Sequence, residues 1–300
     1  MSGSGRPRRF LDLPECALAD SGVVILPLPF EKTVSYGRGA ATGPRAILEG
    51  STQIELFDEE TGVDFDKELR VHTAAEVAAG GLDTEEYLAA VSARVRELRG
   101  KFVLALGGEH TVTYGAVRGL DVPPQDLTIV QIDAHADLID ELDGRRWSHG
   151  TVMRRLWEEG CRLVQIGVRS LSREEFDLAK RGDRIRTFFA HDLDREWEEA
   201  LRAIRGLHGP VYLTIDVDGL DPSIIPSTGT PQPDGLSWKQ ATAVMRAVAL
   251  APAARLVGAD IVEYVASPDP PGSDLAAAKI ATRLLAYRAR ASRGTRHSNL

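Results

Sequence analysis

The chain has 300 residues, of which 43% are hydrophobic and 27% are charged, as in ordinary globular proteins. Its net charge of -8 excludes the overall positive field with which many proteins attract nucleic acid or anionic membranes. Two cysteines exclude a disulfide framework, and no apolar run is long enough to cross a bilayer. Since the N-terminus MSGSGRPRRF lacks the apolar segment of a secretory signal, we expect a cytoplasmic protein without nucleic-acid or membrane partners.

Short β-branched runs alternate with amphipathic segments along the whole chain. Strands are predicted at 22–28, 69–72, 102–106, 127–132, 162–168, 185–189, 210–217 and 254–262. Among the helices between them, the one at 84–100 has Thr84 as a candidate N-cap. The last helix is predicted to begin at an Asp274 cap, and the tail from residue 292 is expected to be solvated or frayed.

This alternation indicates an α/β fold in which right-handed crossovers build a parallel sheet covered on both faces. The strands are almost continuously apolar, as burial on both faces requires. We find no linker, composition break or internal repeat, and therefore predict a single domain over 1–300, with an ordered core at about 12–290 and flexible termini. In such sheets ligands bind beyond the carboxyl ends of the strands.

Polar residues follow four of the predicted strands. They are His110; Asp133, His135 and Asp137; Asp216 and Asp218; and Asp260 and Glu263. A lone histidine after a strand is usually structural, and an Asp-x-Asp pair is usually a turn or a helix cap. Several carboxylates at one buried rim, however, repel one another unless they are paired or bind metal. Because Arg169 is the main basic residue near these strand ends, metal binding is the simplest interpretation.

The number of charges favours two metal ions. Two divalent cations neutralise the four aspartates at 133, 137, 216 and 218, while His110 and His135 bind as neutral imidazoles. Carboxylate and imidazole ligands without thiolate suit Mn²⁺ best, and Zn²⁺, Co²⁺, Ni²⁺ and Fe²⁺ remain alternatives.

Several stretches carry a specific pattern in a fixed order: VSYGRGAATGPRAI, GGEH, DAHAD, SHGT, IDVDGLDPSIIPSTGTPQPDGL and DIVEY. Over about residues 22–288 they resemble the ureohydrolase family of arginases and agmatinases, and agmatinases most. The resemblance implies a three-layer α/β/α sandwich around a mostly parallel sheet of about eight strands. It also implies two Mn²⁺ ions per subunit, a trimer or hexamer, and hydrolysis of a guanidine to urea and an amine by a metal-bridging hydroxide.

The same resemblance gives the site residues their roles. His110 and Asp137 would hold the more buried ion, His135 and Asp218 the other, and Asp133 and Asp216 would bridge the two. His149 is the candidate proton shuttle, although a histidine at a helix start can also be structural. Glu263 would bind the guanidinium, and Asp137 is grouped with these two as catalytic. Glu109 and Asp260 are expected to lie next to the metal ligands and to support them without binding metal themselves.

The substrate prediction depends on the stretch 138–148, LIDELDGRRWS, which is expected to line the mouth of the site. Asp140, Glu141 or Asp143 could bind the ammonium of agmatine, which would then yield putrescine and urea. Arg145 or Arg146 could instead bind the carboxylate of 4-guanidinobutanoate. Agmatine is the preferred prediction, with a guanidinobutyrase or an arginase as alternatives. A single-metal deacetylase-like enzyme and an inactive metal-binding relative are more remote.

Overall fold

The computed structural model describes residues 8–181, 183–266 and 272–297. The strands are β1 (Val23–Leu28), β2 (Phe57–Asp58), β3 (Val63–Asp64), β4 (Val71–Thr73), β5 (Phe102–Gly107), β6 (Thr128–Ile132), β7 (Arg162–Val168), β8 (Ile185–Phe189), β9 (His208–Asp216) and β10 (Ala253–Val262). The α-helices are α1 (Gly43–Ser51), α2 (Phe65–Glu68), α3 (Thr84–Glu97), α4 (Val112–Arg118), α5 (Val152–Glu158), α6 (Arg173–Lys180), α7 (Ala190–Arg205), α8 (Trp238–Ala249) and α9 (Gly272–His297).

Eight strands form one sheet in the order β4-β1-β5-β10-β9-β6-β7-β8, and every neighbouring pair in it is parallel. All eight correspond to predicted strands. Helices α1, α7, α8 and α9 cover one face, and α3 to α6 cover the other. Alternate residues of a strand serve the two cores: Val130 and Ile132 pack in the first, Ile129 in the second. The predicted three-layer α/β/α sandwich is therefore confirmed.

The ends of two helices differ from the predictions. Asp83, not Thr84, caps α3: it accepts from the Glu86 amide at 2.9 Å, and the Glu86 side chain accepts from the Asp83 amide. Helix α9 begins at Gly272, so that Asp274 lies in its first turn, where it accepts a hydrogen bond from the Tyr264 hydroxyl.

The described part of the chain reaches past the predicted core of about 12–290 at both ends. Helix α9 continues to His297, into the tail from residue 292 that was expected to be solvated or frayed. At the other end Phe10 is fully buried, and its amide donates to Thr73 Oγ1 at 3.0 Å, which ties this segment to the end of β4. Residues 1–7 and 298–300, where flexible termini were predicted, lie outside the described residues.

A two-stranded antiparallel hairpin, β2–β3, was not predicted. Strands of two residues are too short to show an alternating pattern. Within the described ranges, the chain has no helix that is both long and apolar enough to cross a membrane.

Candidate metal centre and active site

Four adjacent strands, in the order β5, β10, β9 and β6, bring the predicted site residues to one edge of the sheet. Those residues are His110 after β5, Glu263 after β10, Asp216 at the end of β9, and Asp133 after β6. The turn after β5 requires glycine at Gly108, because a Cβ there would lie 2.0 Å from the Phe30 carbonyl oxygen. The order of the strands in the sheet thus brings residues that are far apart in the sequence into one cluster.

His110 is the centre of the first group of ligands. Its Nδ1 lies 2.9 Å from Asp137 Oδ2, 3.1 Å from Asp133 Oδ2 and 3.5 Å from Asp216 Oδ2. On the other side of the ring, Nε2 lies 2.8 Å from Thr214 Oγ1.

The tautomer of His110 follows from Thr214. That hydroxyl donates its proton to Asp260 Oδ1 at 2.6 Å, so it accepts from Nε2–H, and the lone pair of the neutral ring is on Nδ1. Within the described chain, Nδ1 is buried without a hydrogen-bond partner although three carboxylates face it. Because acceptors alone converge there, the arrangement fits a bound cation.

His135 is the centre of the second group. Its Nδ1 lies 3.1 Å from Asp218 Oδ2 and 3.6 Å from Asp133 Oδ1. Asp133 belongs to both groups that could hold an ion, His110–Asp133–Asp216 and Asp133–His135–Asp218, and is therefore best placed to bridge two cations. Asp216, the other predicted bridge, is in the first group alone, and Asp137 is in neither group although its Oδ2 lies 2.9 Å from His110 Nδ1.

The electrostatics of the cluster show how strongly it attracts positive charge. Burial, and then the charge of Asp133, raises the pKa of Asp137 to about 7. Burial alone would lower the pKa of His135, but the carboxylates of Asp133 and Asp218 raise it to about 12. The guanidinium of Arg169 donates to the backbone carbonyls of 167, 218, 232 and 233. The charges of Asp218 and Asp133 act on it, but its single positive charge offsets only part of the negative charge of the cluster. Without metal, protons on the imidazoles must supply the positive charge.

His149 lies at the cavity wall within a chain of hydrogen bonds. Its Nδ1 lies 3.0 Å from Thr33 Oγ1, and its Nε2 lies 2.8 Å from Ser35 Oγ. Thr33 Oγ1 in turn donates to Glu109 Oε1 at 2.8 Å, which assigns the ring proton to Nδ1. Glu109, which was predicted to support metal ligands, is therefore linked to His149 through the Thr33 hydroxyl. Burial lowers the pKa of His149.

Glu263 also faces the cavity. Its Oε1 accepts from the His110 amide at 2.7 Å, and its backbone has a φ of +61°. A positive φ is unfavourable for a residue with a side chain, which is typical of functional positions. Asp137 has a φ of +53°. Burial, and then the charge of Glu109, raises the pKa of Glu263 to about 8, as expected for a carboxylate that awaits a cationic partner.

A cavity of about 400 Å³ opens over the cluster. Its wall beyond the ligands includes the apolar side chains of Ile139, Leu142 and Leu171 and the carboxylate of Glu175. Glu175 is 3% exposed and accepts from the amides of residues 138 and 172 at 3.0 and 2.7 Å. Among the residues that the structure describes, the lining contains no lysine or arginine.

The charged residues expected at the mouth lie elsewhere. Asp140 pairs with the buried guanidinium of Arg155, and Arg146 lies 3.4 Å from Glu158. Neither they nor Glu141, Asp143 and Arg145 are among the residues that line the cavity, so the structure gives no support to their predicted contacts with substrate. Ile139 and Leu142 of the same stretch do line it.

Three polar residues of the site were not predicted from the sequence: Thr33, Ser35 and Glu175. Thr33 and Ser35 belong to the EKTVSYG loop, whose only signal was its resemblance to a family motif. Glu175 was hidden because its pattern, Ser172 followed three residues later by Glu175, is that of a capping box. The structure shows that it forms the capping box and also faces the cavity.

A parallel α/β sheet with a carboxylate–imidazole cluster at its carboxyl edge defines a class of enzymes that use divalent cations for hydrolysis. The model of the arginase family matches residues 21–286, and the chain therefore belongs to the arginase family.

Individual relatives agree with this assignment. The chain is 36% identical to an N(1)-aminopropylagmatine ureohydrolase of Synechocystis, over 94% of both chains. It is 38% identical to an enzyme of the same name from Thermus thermophilus, over 81% of this chain and 83% of that one. The solved agmatine ureohydrolase of Thermoplasma volcanium has a TM-score of 0.87 at 27% identity, with 97% of both chains covered. The protein is thus a ureohydrolase that acts on guanidino compounds.

Proposed function

We propose that this ureohydrolase acts on a linear guanidine with an amine at its far end and releases urea and an amine product. Agmatine is the simplest such substrate, and the names of the Synechocystis and Thermus relatives favour N(1)-aminopropylagmatine as a second candidate. The observation that carries the proposal is the cavity wall, where a buried carboxylate, Glu175, stands beyond the ligand cluster and the described lining has no basic side chain to bind an acid.

Two Mn²⁺ ions are proposed as the cofactor, because the donors are oxygen and imidazole nitrogen without thiolate. His110, Asp137 and Asp216 would hold one ion, His135 and Asp218 the other, and Asp133 would bridge them, with Asp216 as the second bridge that the family resemblance implies. When bound, such a pair lowers the pKa of a shared water and thereby makes a nucleophile available near neutral pH.

Glu263 orients the guanidinium in this proposal. Its Oε1 is held by the His110 amide, which fixes the carboxylate beside the cluster and leaves Oε2 to accept from a guanidinium N–H. A carboxylate is the natural partner for this planar group of donors. Binding the cation also favours the ionised form of Glu263, whose pKa is raised to about 8 without it.

In this proposal His149 and Ser35 transfer a proton from the attacking water to the leaving amine. With Thr33 fixing the proton on Nδ1, the Nε2 of His149 is the basic nitrogen, and it faces Ser35 at the cavity wall. Nε2 can take the proton that the attacking water loses. It returns that proton, directly or through Ser35, to the amine nitrogen as the carbon–nitrogen bond breaks. The low pKa of the buried ring keeps it neutral and ready to accept.

The experiment is a measurement of urea release after Mn²⁺ loading. The panel is agmatine, N(1)-aminopropylagmatine, L-arginine, 4-guanidinobutanoate and 3-guanidinopropanoate. We expect kcat/KM for the amine-ended substrates to exceed that for the acids by about 100-fold, since like charges at a desolvated contact cost several kcal/mol. A preference for 4-guanidinobutanoate contradicts the proposal. If protein with two bound metal ions hydrolyses none of these compounds, the proposed substrate class is wrong.

A further inference from the structure

A row of polar side chains crosses the sheet directly behind the ligand cluster. Gln131 of β6 is in register with Gln165 of β7, which is in register with Thr187 of β8. Gln131 is 1% exposed and Gln165 is fully buried. Their neighbours along the strands, such as Val130, Ile132, Val164 and Ile166, are apolar core residues. Two buried amides in such a setting need a specific explanation.

The hydrogen bonds of this row run in one direction. Thr187 Oγ1 donates to Gln165 Oε1 at 2.8 Å, and Gln165 Nε2 donates to Gln131 Oε1 at 2.6 Å. Gln131 Nε2 then donates to Asp133 Oδ2 at 2.7 Å. Turning the Gln131 amide over would place its oxygen against the Asp133 carboxylate and its N–H groups against those of Gln165. The chain of bonds therefore fixes one orientation of the Gln131 amide.

The two amides also bind the backbone that carries the ligands. Gln165 Nε2 donates to the Ala136 carbonyl at 2.8 Å, and Gln131 Nε2 lies 3.4 Å from the His135 carbonyl. The segment 133–137 supplies Asp133, His135 and Asp137 to the cluster. An anchored amide donor on Asp133 Oδ2 restricts the rotation of that carboxylate, which is the one shared by both groups of ligands.

We propose that Gln131 is a positioning residue for the bridging carboxylate Asp133, and that Gln165 and Thr187 hold Gln131 in the required orientation. The consequence concerns the metal pair, because a carboxylate that rotates freely can serve one ion without reaching the other. Loss of the row should therefore weaken binding of the second ion most. This inference depends on the metal centre and not on the identity of the guanidine.

The test measures metal binding and spectra, so it needs no turnover. Gln131→Met keeps the length of the side chain but removes both the donor and the acceptor. Gln131→Glu keeps the acceptor for Gln165 and replaces the donor with a carboxylate oxygen, while Thr187→Val removes only the far end of the row. Thr128→Val, a buried threonine of the same strand outside the row, is the matched control. Each variant is titrated with Mn²⁺ by calorimetry, and the spin-coupled Mn²⁺ pair is followed by electron paramagnetic resonance.

We expect about 10- to 100-fold weaker binding of the second Mn²⁺ in Gln131→Met, as for other supports of metal ligands. The loss should be larger in Gln131→Glu and smaller in Thr187→Val, and the coupled spectrum should be replaced by that of isolated Mn²⁺. A purely structural role predicts otherwise: binding would follow the melting temperature of the metal-free protein. Two ions bound with unchanged affinity and spectrum in folded Gln131→Met overturn the proposal. If that variant does not fold, unchanged binding in Thr187→Val and a folded Gln131→Glu overturns it equally.

Discussion

Two clusters of carboxylates in this protein, each built around a buried aspartate, obtain their positive charge in different ways. At the hairpin β2–β3, Arg283 of α9 lies 3.1 Å from Asp58, 2.7 Å from Glu59 and 3.0 Å from Glu60. At the carboxyl edge of the sheet, four aspartates converge on two imidazoles, while the nearby Arg169 binds backbone carbonyls. The first cluster contains its own cation, and the second must receive one.

The comparison separates a structural cluster from a functional one. A guanidinium supplied by the chain is permanent, so the Arg283 cluster joins the hairpin to the last helix under all conditions. A cation from solution exchanges, carries two charges and leaves room for substrate. Burial of acidic groups is thus weak evidence for function alone, whereas burial of acidic groups without a resident basic partner is strong evidence.

Removal of metal should have the largest effect and should affect the two clusters unequally. We expect a chelator to abolish urea release and to lower the melting temperature, because ligands that bind the folded state at 100 times Kd stabilise it by about 2.7 kcal/mol. Mn²⁺ should restore both. The control is Arg283→Met, whose hairpin cluster needs no metal: its melting temperature should fall by the same increment on chelation. A chelated protein that keeps its activity would remove the basis of the comparison.

Loss of Arg283 should disrupt the hairpin cluster, which contains its own cation. Its side chain is 5% exposed and that of Asp58 is 1% exposed, so Arg283→Met leaves an unpaired buried carboxylate. Removing one member of a buried pair costs about 3–5 kcal/mol of unfolding free energy, and we expect a loss near 3 kcal/mol because Glu59 and Glu60 reach solvent. Denaturant titration of the metal-loaded protein measures it. Mn²⁺ stoichiometry should stay at two, and a change in it would link two clusters that we regard as independent.

In the proposed function Glu263 is a third case, in which the substrate would supply the cation. Glu263→Gln keeps the shape but loses the charge and one acceptor, and kcat/KM should fall by about 100- to 1,000-fold for every guanidine. Glu175→Gln is the matched control at the other end of the cavity. It should raise KM for amine-ended substrates and leave kcat nearly unchanged, because the proposal places it at the tail of the substrate and not at the reacting group. Equal effects of the two variants would contradict this division between head and tail.

Whether a residue of the site could be predicted from the sequence depends on how local its pattern is. Asp133, His135 and Asp137 could be predicted because their spacing at a strand end is local, and Asp216 and Asp218 repeat it. That their strands are neighbours depends on the sheet order, which the spacing within one strand does not contain. Contacts between loops could not be predicted from the sequence. His149 and Thr33 are 116 positions apart, and no local pattern indicates that Asp140 pairs with Arg155.

The last expected effect is on pH dependence, and it also separates the clusters. In the metal-free protein the pKa of His135 is raised to about 12, that of Asp137 to about 7 and that of Glu263 to about 8. All three shifts mean that the folded state binds more protons than the unfolded state, so stability must fall as pH rises. For His135 the stabilising contribution is complete below its unfolded pKa of about 6.5 and is lost towards about 12.

Between pH 6 and 9 the melting temperature of the metal-free protein should therefore decrease. Mn²⁺ affinity should increase over the same range, by about tenfold per pH unit for each proton released, because a metal ligand must be a neutral imidazole. Calorimetry in two buffers of different ionisation enthalpy counts the protons. The Arg283 cluster contributes nothing to either trend, since its guanidinium stays charged throughout. If affinity did not change with pH, His135 would not hold a proton in the metal-free state, and the charge balance inferred for the cluster would be wrong.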